Sequence, residues 1–275
     1  MQNYLSSNQV SFYRENGYII IEDFLNNTEL QHWRASVTEA VQERNGVKIP
    51  GKSVKIGEDD GINVDADYFK NVFDQVLNLW QTNDKVKALM LDERIGKMAA
   101  DLSGAEGIRI WHDQALIKRP WANPTSWHLD TPFWSFFHRQ ALSIWVALDD
   151  VTLQNGCMFF IPGSSKQTDF TSPFIGKNMS DIFEAYPQFK NTQAIPAVMK
   201  AGSCSFHNGL TIHGAQANMT PGFRRAMTCA YMPEGSVFNG QPNILPEDYL
   251  RQLKNGDLLN NDEQNPLIYK ANVQV

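Results

Sequence analysis

A histidine and an aspartate lie two residues apart in Trp127-His128-Leu129-Asp130. On an extended strand, side chains two positions apart leave the same face roughly 7 Å from each other, so one metal ion can bind both. A second imidazole would complete the facial triad of two histidines and a carboxylate that is typical of iron(II) oxygenases. The pair alone is weak support, because so short a pattern arises by chance in many chains.

The missing parts lie in one downstream segment. His213 ends a short apolar run and is followed by Gly214, which lets the backbone and a ligand approach closely. Arg224 opens the next run after the Pro221-Gly222 turn, and its planar guanidinium can bind a carboxylate through two hydrogen bonds. We therefore expect His213 as the third metal ligand, and a dicarboxylate that spans from the metal to Arg224.

The elements that must position these residues change in character along the chain. Behind a possible cap at Asn27 and Thr28, apolar residues recur at helical spacing, and they are Leu30, Trp33, Val37 and Val41. This pattern predicts a helix after a short strand over 17–24, with further helices over about 68–80 and 86–102, the last ending at Ser103-Gly104. We expect about 1–105 to form a mainly helical buttress.

From residue 108 onward, short apolar runs alternate with turn-forming pairs such as Asn155-Gly156 and Pro162-Gly163. The runs cover 108–117, 141–148, 157–161, 203–207, 210–213 and 225–232. This alternation of short apolar runs and turns favours a fold that is mainly β with flanking α. In this fold a jelly roll, or double-stranded β-helix, spans about 106–235. A C-terminal segment over about 236–275 carries one helical pattern at 247–254, and we predict a single domain over 1–275.

Composition narrows the class of partner. A formal charge of -6 and an isoelectric point near 5.5 give no basic surface for nucleic acid or anionic lipid, so a small-molecule substrate is expected. The three cysteines form no paired motif, no apolar run is long enough to cross a bilayer, and the N-terminus lacks a signal pattern. These features favour the cytoplasm, and they do not indicate an oligomeric state.

The sequence resembles the phytanoyl-CoA dioxygenase (PhyH) family of 2-oxoglutarate oxygenases over about 72–233. The matching text is His112-Asp113-Gln114-Ala115-Leu116, Trp127-His128-Leu129-Asp130, Trp145, Asn155-Gly156-Cys157, Pro162-Gly163-Ser164, His213-Gly214 and Arg224. The resemblance implies a double-stranded β-helix in which Fe(II) is bound by His128, Asp130 and His213. It also implies that the far carboxylate of 2-oxoglutarate is held by Arg224, in a pocket lined by Gln114, Lys118 and Trp145.

The activity implied is that of a non-haem iron(II) dioxygenase, an oxidoreductase that consumes O2 and 2-oxoglutarate, releases succinate and CO2, and hydroxylates a small organic substrate. Ascorbate is expected as a reductant, and no catalytic residue beyond the metal ligands is required. Leu129 departs from the family, in which many members have glutamine there, so a hydrogen bond to the co-substrate is missing or replaced. Asp130 argues against halogenation, because related halogenases lack this carboxylate.

Three polar residues near these motifs have competing interpretations. His207 is interpreted as a structural histidine, because it precedes Asn208-Gly209 and lies farther than His213 from Arg224. Arg225 would face away from Arg224 on a strand, and the family's spacing from His213 selects Arg224. His112 could be structural or functional.

Other features allow further classes of protein. Residues 46–53 match the phosphate-binding loop pattern letter for letter, but they lack the preceding strand and following helix that such a loop needs. A jelly-roll binding module without turnover stays open, as does a cupin-like metal hydrolase, which would need a general base beside its metal. Five aromatic residues near the first ligand pair could line an apolar pocket or belong to the core: Trp127, Phe133, Trp134, Phe136 and Phe137.

Overall fold

A computed structural model of the protein describes residues 1–52, 54–56 and 66–271. The strands are β1 (Tyr18–Ile21), β2 (Asp74–Leu77), β3 (Gly107–Lys118), β4 (Thr125–His128), β5 (Leu142–Ala147), β6 (Met158–Phe160), β7 (Ile195–Pro196), β8 (Cys204–Asn208), β9 (His213–Ala215), β10 (Arg224–Pro233) and β11 (Leu267–Lys270). The α-helices are α1 (Ser7–Asn16), α2 (Asn27–Glu43), α3 (Ala66–Phe69), α4 (Asp84–Met90), α5 (Glu93–Ser103), α6 (Asp181–Ala185) and α7 (Glu247–Leu250). Single 3-10 turns cover Leu79–Gln81, Thr131–Phe133, Ser164–Lys166 and Pro187–Phe189.

The strands form two antiparallel sheets. The larger has the order β1-β8-β5-β10-β3-β11, with β2 also paired to β3, and the smaller has the order β4-β9-β6-β7. Side chains from both sheets share one apolar cluster, which includes Trp145 of β5 and Phe160 of β6. Two antiparallel sheets packed in this way form the predicted double-stranded β-helix, so the fold prediction is confirmed.

The two faces of β10 explain why the sheet needs helices behind it. Met227 and Tyr231 point outward into a large apolar cluster with Trp33 of α2 and Met98 of α5. Residues that point to the opposite face of the strand, such as Thr228, line a cavity between the sheets. The outer face is therefore buried by the helices, and the inner face is left for polar residues.

Helix α2 is where the apolar spacing predicts it, with its N-cap one residue earlier than expected. The side chain of Asn26 accepts a hydrogen bond from the Glu29 N–H, and the Glu29 carboxylate accepts one from the Asn26 N–H. The predicted helix over 86–102 is divided in two, because Asp92 caps the start of α5. It ends as expected at Gly104, which has a φ of 75°.

The prediction of a helix over 68–80 is wrong. Backbone pairing with β3 holds Asp74–Leu77 as a strand. The carboxylate of Asp113 then accepts hydrogen bonds from the N–H groups of Leu79 and Trp80, at 2.7 and 2.8 Å, which turns the chain at the strand end. Residues 1–105 are therefore not only a buttress, since β1 and β2 join the large sheet.

The C-terminal segment also contributes to the sheet. Strand β11, which the sequence does not reveal, pairs with β3, and the predicted helix at 247–254 is shortened to α7. All three cysteines are buried and free. Within the described residues, no helix combines the length and apolar character needed to cross a membrane.

Candidate metal centre

The pairing of the small sheet brings two histidines together. His128, the last residue of β4, is the register partner of His213, the first residue of β9, and their ring centroids are 4.2 Å apart. The Oδ1 atom of Asp130 lies 3.7 Å from the Nε2 atom of His128 and 3.6 Å from that of His213. Ligand atoms of all three residues lie within 4.8 Å of one another. One metal ion can therefore contact the three.

The prediction that His128 and Asp130 share one strand is wrong. Strand β4 ends at His128, and Asp130 has helical angles of φ -85° and ψ -51° at the start of a 3-10 turn. The Asp130 N–H donates to the carbonyl of Gly209 at 2.9 Å, and this turn directs the carboxylate back towards the histidines. Leu129 is buried in an apolar cluster with Ile161 and Ile212, which accounts for a leucine at this position.

Both histidines are held in the same way by a carbonyl two residues earlier. His128 Nδ1 lies 2.7 Å from the Ser126 carbonyl, and His213 Nδ1 lies 2.9 Å from the Thr211 carbonyl. A carbonyl only accepts hydrogen bonds, so each Nδ1 carries the proton and each Nε2 presents its lone pair. The local backbone therefore sets both rings in the tautomer that binds a metal through Nε2.

The charges of the three residues suit a divalent cation. Burial lowers the pKa of His213 to about 3 and also lowers the pKa of His128, so both rings are neutral near pH 7. Burial opposes ionisation of Asp130, but His213, His207 and His128 together hold its pKa well below its usual range. Two neutral imidazoles and one ionised carboxylate form a mixed donor set that fits Fe(II).

The triad opens onto a cavity of about 400 Å³ between the sheets. The inner face of the large sheet contributes polar residues, which include His112, Gln114, Ser143, Thr228 and Arg224. Phe133 and Trp134 also line the cavity, whereas Phe136 is buried in a neighbouring apolar cluster and Phe137 is exposed. The aromatic segment after Asp130 is thus divided between pocket, core and surface.

The guanidinium of Arg224 is buried, and no carboxylate of the described residues forms an ion pair with it. Only 3% of the residue is exposed, it packs 5.1 Å from the centre of the Trp145 ring, and it lines the cavity. Among the described residues, its Nε and Nη1 atoms have no hydrogen-bond partner. Burial lowers the pKa of Arg224 to about 10, so the side chain stays charged near pH 7. A buried cation with unused donors is a binding site for an anion.

Its neighbour Arg225 lies on the other face of β10. The Arg225 guanidinium donates to the two carboxylate oxygens of Asp149, at 2.9 and 2.7 Å. Alternation along the strand thus separates an arginine that already has an acidic partner from one that faces the cavity.

The remaining predicted pocket residues do not all reach the cavity. Gln114 and Trp145 line it, and Gln114 accepts a hydrogen bond from Gln75. Lys118 is fully buried, and its ammonium group donates to the carbonyls of Asn123 at 2.7 Å and Val72 at 3.3 Å. Lys118 is not among the described residues that line the cavity, so its position does not support contact with a co-substrate. Its observed role is to tie β3 to two loops.

Two parts of the site could not be found from sequence spacing. His207 and Ser143 both contact the Asp130 carboxylate, although they lie on β8 and β5 of the opposite sheet. Lys48 and Lys52, from the phosphate-loop-like segment, line the cavity. Up to Lys52 the segment forms turns and bends, with one isolated bridge from Val47 to Lys55, and Ser53 lies outside the described residues.

Gly214 lies where β9, which carries His213, packs closely against β4, which carries His128. An added Cβ would lie 3.0 Å from the Thr125 carbonyl oxygen and 3.3 Å from the Trp127 amide nitrogen, both in the backbone of β4. We expect Gly214→Ala to move His128 away from His213 and to weaken Fe(II) binding about 10-fold. Titration of the apo-protein measures this. Gly222→Ala, where an added Cβ meets nothing within 4 Å, is the control. Equal affinity in both variants contradicts the expectation.

The buried histidine His112 should make the metal-free protein sensitive to acid. Burial lowers its pKa to about 4, whereas an unfolded histidine titrates near 6.5. Below pH 6.5 the unfolded chain takes up a proton that the folded chain does not accept until about pH 4, so stability is lost as pH falls through this window. The loss from this one residue is on the order of 3 kcal/mol.

Urea unfolding between pH 7 and pH 4.5 checks this. The free energy of unfolding should fall less steeply in His112→Gln than in the wild type. The control, His32→Gln, removes an exposed histidine of α2 and should leave the slope unchanged. An identical slope in all three proteins contradicts the role given to His112.

A double-stranded β-helix with this triad, and with a buried arginine across the cavity, defines an iron- and 2-oxoglutarate-dependent oxygenase. Comparison with known proteins gives the same class. The chain belongs to the phytanoyl-CoA dioxygenase (PhyH) family, whose family model matches residues 13–226. It is therefore a dioxygenase and an oxidoreductase, as predicted.

Relatives and solved structures agree with this assignment. The chain is 24% identical over 241 residues to the peroxisomal phytanoyl-CoA dioxygenase of Mus musculus, covering 83% of this chain and 69% of that protein. It is similar to the structure of SnoK, a non-haem α-ketoglutarate-dependent carbocyclase of nogalamycin biosynthesis, with 28% identity, 96% coverage of each chain and a TM-score of 0.75. It is also similar to the epimerase SnoN in complex with Fe3+, α-ketoglutarate and nogalamycin RO, with 25% identity, coverage of 95% and 97%, and a TM-score of 0.70.

Proposed function

We propose that Fe(II) is held by His128, Asp130 and His213, and that 2-oxoglutarate extends from the metal to Arg224. The observation that carries this proposal is the buried Arg224 guanidinium, whose Nε and Nη1 atoms have no partner among the described residues. A dicarboxylate would supply the missing acceptors, and the planar fork binds one carboxylate through two hydrogen bonds. Gln114 and Trp145 complete the co-substrate pocket.

The bound iron and 2-oxoglutarate supply the oxidative chemistry, in which O2 is consumed, succinate and CO2 are released, and a C–H bond of the substrate is hydroxylated. The chain itself binds and orients. His128, Asp130 and His213 would hold the ion as a facial triad, which would leave coordination positions for the co-substrate and O2. The carbonyls of Ser126 and Thr211 keep both imidazoles in the binding tautomer. Ascorbate would act as a reductant for the iron.

A small organic molecule is the proposed substrate. Rings of Phe133 and Trp134 form part of the cavity wall, which suits an apolar body beside the metal. The SnoN structure holds nogalamycin RO, so a related protein of this fold accommodates a small molecule. We also propose that the whole chain is one domain located in the cytoplasm.

The two competing classes are less well supported. Of the described residues that line the cavity, Asp130 is the one with a carboxylate, and it is assigned to the metal, so no carboxylate is left there to act as the general base of a hydrolase. A binding module without turnover has no need for an intact triad aligned with a buried arginine.

Anaerobic titration of the apo-protein with Fe(II) and then 2-oxoglutarate tests the proposal without a substrate. A keto acid that chelates Fe(II) through two oxygens gives a weak visible charge-transfer band. We expect the band in the wild type and its loss in His213→Ala. Bound metal without a band would instead favour the hydrolase or the binding module.

A further inference from the structure

The two oxygens of the Asp130 carboxylate have different neighbours. Oδ1 is the oxygen that lies near the Nε2 atoms of His128 and His213. Oδ2 lies 3.2 Å from the Nε2 atom of His207 and 3.4 Å from the hydroxyl of Ser143. One oxygen therefore faces the metal position, and the other faces two potential donors from the large sheet.

His207 and Ser143 are fixed as a pair. They are register partners on β8 and β5, and only 3% and 6% of these residues are exposed. The His207 ring packs between Phe160 and His213, with centroid distances of 5.4 and 4.6 Å. A rigid sheet thus presents both groups, whereas Asp130 lies on a turn after the end of β4.

The hydrogen-bonding roles follow from the charge of Asp130. An ionised carboxylate can only accept, so His207 Nε2 and the Ser143 hydroxyl must both donate to Oδ2. His207 is thereby the opposite tautomer to His128 and His213, which carry the proton on Nδ1. Its own Nδ1 is buried without a hydrogen-bond partner among the described residues, which leaves Nε2 as the functional nitrogen.

We propose that His207 and Ser143 are positioning residues that hold Asp130 as a one-oxygen metal ligand. By occupying Oδ2, they keep the carboxylate from rotating and from binding the metal through both oxygens. A second carboxylate oxygen would fill a position that the co-substrate or O2 needs. This inference rests on the proposed metal site, and it replaces the interpretation of His207 as merely structural.

Substitutions at His207 separate positioning from packing. His207→Leu replaces the ring with an apolar side chain of similar bulk that has no donor, and His207→Gln places an amide N–H near the Nε2 position. We expect His207→Leu to weaken Fe(II) binding 10- to 100-fold, to shift the charge-transfer band of the Fe(II) and 2-oxoglutarate complex, and to slow succinate formation. His207→Gln should restore most of the affinity and the band position, which a packing role does not explain.

Ser143→Ala tests the inference even if His207→Leu does not fold. It removes one donor from Oδ2 and leaves the His207 ring in place. It should shift the band in the same direction by a smaller amount. Wild-type affinity, band and rate in both His207→Leu and Ser143→Ala would overturn the inference. So would loss of metal in His207→Gln as complete as in His213→Ala, since His207 would then be a ligand. Absence of the band in the wild type refutes the proposed function instead.

Discussion

Replacing Asp130 with alanine is expected to reduce Fe(II)-dependent decarboxylation of 2-oxoglutarate by more than about 100-fold. The substitution removes the one ionised ligand of the triad and leaves two neutral imidazoles to hold a divalent cation. It also leaves the donors of His207 and Ser143 buried without their acceptor. The rate of succinate formation at saturating 2-oxoglutarate, measured over a range of Fe(II) concentrations, gives the effect.

The control is Asp150→Ala, which removes an exposed carboxylate that pairs with Lys200 at the surface. It should keep the wild-type rate, because the ion pair is solvated. Full activity in both variants would show that Asp130 is not a metal ligand.

Replacing Arg224 with alanine is expected to raise the concentration of 2-oxoglutarate needed for half-maximal binding by roughly 30-fold or more, because truncating one member of a buried, hydrogen-bonded charge pair costs about 2–5 kcal/mol. Fe(II) affinity should change little, because the three ligands are untouched. The charge-transfer band, followed as 2-oxoglutarate is added to the Fe(II) protein, measures the change.

Arg225→Ala is a matched control, since it removes the same type of side chain one residue away. Its guanidinium contacts Asp149 on the opposite face of β10, so 2-oxoglutarate binding should be preserved. Arg224→Lys should fall between wild type and alanine, because lysine keeps the charge but loses the planar two-point contact. A higher requirement in Arg225→Ala than in Arg224→Ala would show that the wrong arginine was chosen.

Patterns that depend on neighbouring residues could be interpreted from the sequence. The apolar spacing of Leu30, Trp33 and Val37 predicts α2, because a helix against a sheet buries one stripe. Alternation along a strand places Arg224 and Arg225 on opposite faces, as the structure has them. Glycine at C-caps and in turns marks where elements end.

Predictions failed where a segment's partner is remote. The apolar residues Val76, Leu79 and Trp80 fit a helix, but pairing with β3 and the carboxylate of Asp113 impose a strand and a turn. Strand β11 has no distinctive local pattern, and its pairing with β3 creates it. In each case tertiary hydrogen bonds override a weak local preference.

The same distinction holds at the site. Short motifs are enough to select His128, Asp130 and His213 as candidate metal ligands and Arg224 as the candidate anion-binding arginine, because such residues stand out by type and spacing. Other features depend on how two sheets and distant loops pack. They are the contacts of His207 and Ser143 with Asp130, the burial of Lys118 away from the cavity, and the place of Lys48 in the cavity lining. Sequence spacing carries no information about such contacts, since they join residues that meet only when the sheets close around the cavity.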